Sequence, residues 1–242
     1  MVNFKKFRML FWLSLVHPFS AMKALGGKHP SDIDFEYIAN FVEVNNPVIV
    51  EAGAFNGDDT DRFLQRWPTS RIVALEPIPA LYEKLKARFS GISNIVLLQS
   101  ALVGSSERHV QIWTNQNGND HSASSILQPD SVRDVYPDLD FEKVIEVDAQ
   151  SLDTLIESQK LETIDLLWLD LQGAELDVMR GSVKSLNIVN LIHLEVNRKA
   201  FYKSGATFPE VDSFLETAGF ELIKLRMPFL SGNALYLKKK CV

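Results

Sequence analysis

Residues Val48-Ile49-Val50-Glu51-Ala52 form an apolar run of strand length, Gly53-Ala54-Phe55-Asn56-Gly57 breaks it into a tight turn, and Asp58-Asp59-Thr60 opens a segment with helical spacing. A strand, a short loop and a helix start in that order belong to an α/β layer structure. Gly53 lets the backbone approach a ligand with no Cβ in the way, and Gly57 permits close packing of helix on strand. About twenty residues later, Arg71-Ile72-Val73-Ala74-Leu75 forms a second strand that ends on Glu76-Pro77. An acid at that interval can accept from both hydroxyls of a ribose, so the two features together point to a bound nucleoside.

The chemistry of the turn narrows the nucleoside. Dinucleotide sites carry G-x-G-x-x-G because a pyrophosphate sits against the helix N-terminus. Here the spacing is G-x-x-x-G, a carboxylate (Glu51) lies just before the first glycine, and Asp58 and Asp59 follow the second. Those acids repel phosphate and suit a cationic amino-acid moiety, which favours S-adenosylmethionine. Acids in a first helical turn also complement the helix macrodipole, so an ordinary strand–helix corner is the plain alternative. Glu76 at the expected interval argues against it.

The rest of the chain repeats the alternation. Ile33, Tyr37, Ile38, Phe41 and Val42 give 31–45 a helical pattern capped by Ser31 or Asp32. Helices are expected over 58–66 and 79–89, the latter with a Leu81, Leu85, Phe89 stripe, and a strand over 94–98. Thr114 to Asp130 is polar and reads as a disordered loop or a substrate-facing lid. Strands over 144–147, 164–169 and 191–196 alternate with helices over 151–157, 174–180 and 208–218, with Gly181 ending the second of these. A hairpin of 221–227 and 234–239 closes the chain. The expected fold is a doubly wound, mostly parallel sheet in one domain over 31–242, preceded by a basic and apolar helical segment over 1–30.

Composition limits the partners. The 242 residues are 46% hydrophobic, enough for one sizeable core. A net charge of −6 and the lack of a basic tract with interleaved aromatics argue against nucleic acid. The single cysteine, Cys241, forms no internal disulfide, which fits a reducing, cytoplasmic setting. Lys5, Lys6 and Arg8 precede the run Met9 to Val16, which is too short to span a bilayer. Residues 4–16 fit either a helix on the inner membrane surface or a helix packed on the domain or a partner.

Ligands of open α/β sheets sit beyond the carboxyl ends of the strands. The turn 53–57, Glu76, the segment Gln99-Ser100-Ala101, Asp170 and Glu195 all fall there. Ser100 and Ala101 can border an adenine ring, or simply connect a strand to a helix. Asp170, at the end of a buried strand and followed closely by Gly173, can orient an ammonium or accept a proton from a substrate hydroxyl. The competing reading makes Asp170 a capping acid and Glu175 a surface residue. Glu195 pairs on one strand face with His193, which otherwise reads as a core histidine. Asp170 and Glu195 both offer oxygen ligands, but no His/Asp cluster has diagnostic spacing, so no required metal is expected.

The segments Val50 to Gly57, Ala74 to Pro77, His121 to Ser125 and Leu169 to Glu175, with Ala218-Gly219-Phe220 late in the chain, resemble FkbM-type methyltransferases over roughly residues 46–238. The resemblance implies a class I S-adenosylmethionine-dependent fold, with a seven-stranded sheet and an antiparallel terminal strand, acting mainly on hydroxyls of sugars or natural products. It places Glu51, Gly53 and Gly57 at the methionine end of the cofactor, Glu76 at the ribose and Asp170 at the reaction face; beside that resemblance, Ala54 and Asn56 of the same turn and Ser100 and Ala101 are expected to border the cofactor, as is Asp170. Where many relatives carry Lys and Glu, this chain has Trp168 and Gln172. The expected function is O-methylation of a hydroxyl on a small-molecule or carbohydrate acceptor, with Asp170 and Glu195 catalytic. A non-catalytic cofactor-binding, membrane-associated module and a nicotinamide-dependent oxidoreductase are the alternatives.

Overall fold

The computed structural model describes residues 30–115 and 121–240. The segment 4–16 and Cys241 lie outside the described residues. Ten strands are described: β1 Val48–Ala52, β2 Arg71–Leu75, β3 Ile95–Leu98, β4 Ala101–Leu102, β5 His109–Thr114, β6 Lys143–Gln150, β7 Leu166–Leu169, β8 Leu191–Asn197, β9 Phe220–Arg226 and β10 Ser231–Lys238. The helices are α1 Phe35–Ala39, α2 Asp58–Arg66, α3 Pro79–Arg88, α4 Val132–Val135, α5 Leu152–Gln159, α6 Glu175–Gly181 and α7 Phe208–Thr217, with a 3-10 turn at Ser185–Ile188.

Seven strands make the main sheet in the order β3-β2-β1-β7-β8-β10-β9. Pairs β1–β2, β1–β7, β2–β3 and β7–β8 are parallel, while β10 runs antiparallel to β8 and β9. This is the class I methyltransferase arrangement, with its antiparallel strand supplied by the terminal hairpin. The central strands are apolar on both faces, as helices on either side require. Val50, Val73, Leu167, Leu169, Ile192 and Leu194 pack toward Leu152, Leu155, Met179 and Leu215. Ile49, Ile72, Leu166, Trp168 and Leu235 pack toward Ile38, Phe63, Trp67, Leu85 and Phe89. The strand order reverses between β1 and β7, and a crevice opens there beyond the strand ends.

Three local expectations change. Helix α1 spans only Phe35–Ala39: it starts late because the Asp34 side chain caps it by accepting from the Glu36 and Tyr37 backbone N–H groups, and it ends at the Asn40 cap. Gly181 does not end α6 in a left-handed conformation; it is the last helical residue and Ser182 is the cap. The smallness of Gly181 serves packing instead, since a Cβ there would lie 1.8 Å from the Gly104 carbonyl oxygen. Finally, Ala101 is not in a strand–helix turn but starts β4, one strand of a separate three-stranded sheet β4-β6-β5. That small sheet, cored by Ala101, Val103, Ile112, Val147 and Ala149, stands over the strand ends and walls the crevice.

Candidate active site

The crevice has a volume of about 290 Å³, and its floor is the turn after β1. Gly53 has φ +91°, and a Cβ on it would sit 2.1 Å from the Asp170 backbone oxygen. The backbone N–H of Asp170 donates to the Ala52 carbonyl (3.0 Å), and those of Gly53 and Ala54 donate to Leu75 (3.1 and 3.0 Å). The ends of β1, β2 and β7 are thereby drawn together. Asn56 lies just before Gly57, the cap of α2, and its Oδ1 accepts from the Asp58 N–H at 3.1 Å. Gly57 (φ +84°) lies against α3, where a Cβ would meet Leu85 and Phe89 side chains within 2.8 Å.

Gly53, Ala54, Asn56, Glu76, Ser100, Ala101 and Asp170 all line the crevice. Glu51 and Gly57 do not: Glu51 is buried beneath the turn, where it accepts from the Thr60 hydroxyl at 2.5 Å, and Gly57 packs behind it. Of the two acids opening α2, Asp59 lines the crevice while Asp58 pairs with Arg88 at 3.0 Å. Strand alternation explains Glu51, which shares the face of Ile49 that α2 covers.

Glu76 is held at both oxygens. Oε2 accepts from the Phe55 N–H (2.9 Å) and Oε1 from the Ile78 N–H (2.8 Å), which fixes the carboxylate with lone pairs left for further donors. Burial pushes its pKa up to about 7 despite those bonds. Asp59 is raised to about 6, again mainly by burial. Three carboxylates thus face one small space, a setting that rejects phosphate and welcomes a cation. Leu81, Leu102 and Ile112 supply apolar surface for a flat ring, and His121 to Ile126 cover the crevice. An adenosyl cofactor bearing a positive charge fits this combination of a glycine-floored turn, a fixed acid and an apolar slot.

Beside the crevice, the turn after β7 is organised by Glu175, whose carboxylate accepts from the Leu171 N–H at 2.7 Å and the Gly173 N–H at 3.0 Å. Glu175 therefore shapes the loop rather than the surface. Gln172, at φ +52°, donates from Nε2 to Asp170 Oδ1 (2.7 Å) and to Glu195 Oε2 (2.9 Å). Asp170, Glu175 and Glu195 bring carboxylate oxygens within 4.8 Å of one another. Asp170 is exposed where it opens onto the crevice, and desolvation by the protein packed around it raises its pKa. Glu195 is raised well above the ordinary carboxylate range, first by burial and then by the Asp170 and Glu175 charges. The geometry can hold a shared proton or a cation. His193 stacks on Trp168 at 3.6 Å between ring centroids, and burial lowers its pKa to about 3, so it serves as a neutral core residue.

The buried Glu51 makes a stability prediction. Burial raises its pKa from 4.5 to about 8, so between those values the folded state holds more protons than the unfolded state. Stability then falls as pH rises through that window, by an amount on the order of a few kcal/mol at pH 8. Without cofactor, the wild type is expected to lose more melting temperature between pH 6 and pH 8 than Glu51→Gln does. Parallel losses in the two proteins would contradict the assignment.

Residues 51–222 match the methyltransferase FkbM domain. The chain is 29% identical over 209 residues to the 2-O-methyltransferase NoeI of Sinorhizobium fredii (strain NBRC 101917 / NGR234), covering 84% of each chain. It is 28% identical over 210 residues to the methyltransferase sdnD of Sordaria araneosa, covering 75% of this chain and 76% of that one. The crystal structure of the methyltransferase FkbM from Methylobacillus flagellatus KT superposes with a TM-score of 0.50 at 12% identity, over 84% of this chain and 50% of that one, which shows the shared fold. A domain match of this extent removes both the non-catalytic module and the nicotinamide oxidoreductase as readings. With its glycine-floored crevice at the strand-order reversal and a domain match over 51–222, the chain belongs to the FkbM methyltransferase family and is an S-adenosylmethionine-dependent methyltransferase.

Proposed function

We propose that the enzyme O-methylates a hydroxyl of a sugar, glycan, glycolipid or related small molecule. The similarity to a 2-O-methyltransferase supports the choice of oxygen. The observation that carries the reading is the arrangement around Gln172, with Asp170 on the crevice and Glu195 on an adjoining cavity. In it, Gly53, Ala54, Asn56, Ser100 and Ala101 line the cofactor's seat, with Gly53 supplying its floor, and Glu76 accepts from the ribose diol. When bound, S-adenosylmethionine supplies a methyl group on a positively charged sulfur, which leaves with the bonding electrons.

The protein's own part is alignment and proton removal. Confining a hydroxyl oxygen against the crevice converts an encounter into a step within one complex, the larger part of the acceleration. As the oxygen forms its new bond to carbon, its proton passes to the Asp170–Glu195 pair. A raised pKa makes that pair a stronger base than an ordinary carboxylate. Protonation disables it, so the rate is expected to rise with pH along a limb lying above the usual carboxylate range. Asp170→Ala is expected to lower turnover by roughly 10²–10⁴-fold. Normal S-adenosylhomocysteine binding with undiminished turnover in that variant would refute the role. Transfer of labelled methyl from the donor into carbohydrate extracts, sensitive to Asp170→Ala, is the direct test of the reaction.

Two further elements rest on sequence alone. A cytoplasmic setting is supported by the single cysteine, and a peripheral contact with the inner membrane surface by Lys5, Lys6 and Arg8 ahead of an apolar run. Among the described residues no helix is long and apolar enough to cross a membrane. Loss of vesicle binding on deletion of residues 1–20 would support the contact, and unchanged binding would remove it.

A further inference from the structure

A second cavity, of about 260 Å³, abuts the cofactor crevice and shares Ser122, Ala123 and Gln172 with it. Its two sides differ in chemistry. One is aromatic, built by Tyr136, Phe201 and Tyr202 over a cluster that includes Val132 and Phe141. Tyr202 is locked in place, its hydroxyl donating to the Ala123 carbonyl at 2.6 Å. The other side is polar and comes from the end of β8, where Glu195 and Asn197 project to the same side as alternate residues of the strand. Glu195 is oriented by Gln172 at 2.9 Å. Asn197 is buried, and its side-chain oxygen carries no hydrogen bond among the described residues. A buried amide oxygen without a donor is costly unless something else supplies one.

We infer that this cavity is the acceptor subsite and that it takes an uncharged ring bearing adjacent hydroxyls, one sugar-sized unit, with Asn197 as its specificity-determining residue. The inference rests on the methyl-transfer reading and adds the place and chemistry of the acceptor. Four features select that class. The volume of about 260 Å³ has room for one sugar-sized ring. The aromatic side offers electron-rich faces to the C–H face of a saturated ring. The Asn197 oxygen and the Glu195 carboxylate both accept hydrogen bonds, and hydroxyls on neighbouring ring carbons can donate one to each. Among the described residues no lysine or arginine lines the cavity, and Glu195 with Asp170 beyond Gln172 repels anions, which disfavours uronic acids and sugar phosphates. One hydroxyl of such a ring, directed past Gln172, then faces the crevice that holds the methyl donor.

The test reads binding to the full-length protein without methyl donor. Saturation-transfer NMR is recorded with a panel of methyl hexopyranosides, the methyl glycoside of glucuronic acid, glucose 6-phosphate and cyclohexanol. The expected result is transfer to ring protons of at least one neutral glycoside, at least fivefold above that to the two anions and to the mono-alcohol. In Asn197→Leu, and in Leu139→Trp, which fills the cavity from another wall, that signal is expected to fall at least fivefold. S-adenosylhomocysteine affinity by calorimetry should stay within about twofold in both variants. Equal signals from charged and neutral sugars, or a glycoside signal that survives both substitutions, would overturn the inference. So would absence of binding by every panel glycoside while S-adenosylhomocysteine still binds, an outcome that leaves the methyltransferase reading intact. Loss of S-adenosylhomocysteine binding by the wild type would instead count against the cofactor crevice.

Discussion

Gly53→Ala is expected to abolish cofactor binding and to destabilise the protein by about 3–5 kcal/mol, the upper end for a single substitution. The added methyl would lie 2.1 Å from the backbone oxygen of Asp170 and 3.1 Å from its carbonyl carbon, and backbone cannot rotate away as a side chain can. The φ of +91° adds strain for any residue with a Cβ. Relief requires the turn after β1 to separate from the end of β7, the two segments whose closeness forms the crevice floor. With a native stability of about 5–15 kcal/mol, a loss of this size is visible in a denaturant titration. A Gly53→Ala protein with an unchanged midpoint and normal S-adenosylhomocysteine affinity would show that the two segments do not meet as described.

Glu76→Ala should be the second largest effect. It removes both acceptors that Glu76 is proposed to offer the ribose diol, and hydrogen bonds to a charged group contribute about 1.5–3 kcal/mol each. A weakening of about 10²-fold or more in S-adenosylhomocysteine affinity is therefore expected by calorimetry. It also releases the Phe55 and Ile78 N–H groups, which shape the turn and the start of α3. Glu76→Gln separates the two contributions, because it retains one carbonyl oxygen and nearly the same shape. An intermediate loss, about tenfold, is expected there. Wild-type affinity in Glu76→Ala would remove the residue from the ribose.

The residues whose roles are local were legible before the fold was known. The β-branched run at 48–50, the strand at 71–75 and the helix at 58–66 rest on short-range periodicity and on acids at a helix start, and they stand at those positions. The small sheet was not legible, because Ala101–Leu102 is too short to show alternation and pairs with residues 149–150. Asn197 and Tyr202 escaped notice as cavity residues. Of the two first-turn acids expected beside the cofactor only Asp59 lines the crevice, and nothing in the sequence distinguishes it from Asp58. The link from Asp170 through Gln172 to Glu195 depends on β7 lying beside β8, a juxtaposition that no spacing reveals. Glu51 shows the opposite case, since strand alternation alone assigns it to the helix-covered face of Ile49, away from the crevice lining.

The most direct measurement is a crystal structure of the protein grown with S-adenosylhomocysteine. The account predicts the ligand over the Gly53 turn, its ribose hydroxyls within hydrogen-bond distance of Glu76 and its sulfur turned toward Asp170. A ligand bound elsewhere, or a ribose that leaves Glu76 bonded only to Phe55 and Ile78, would contradict it.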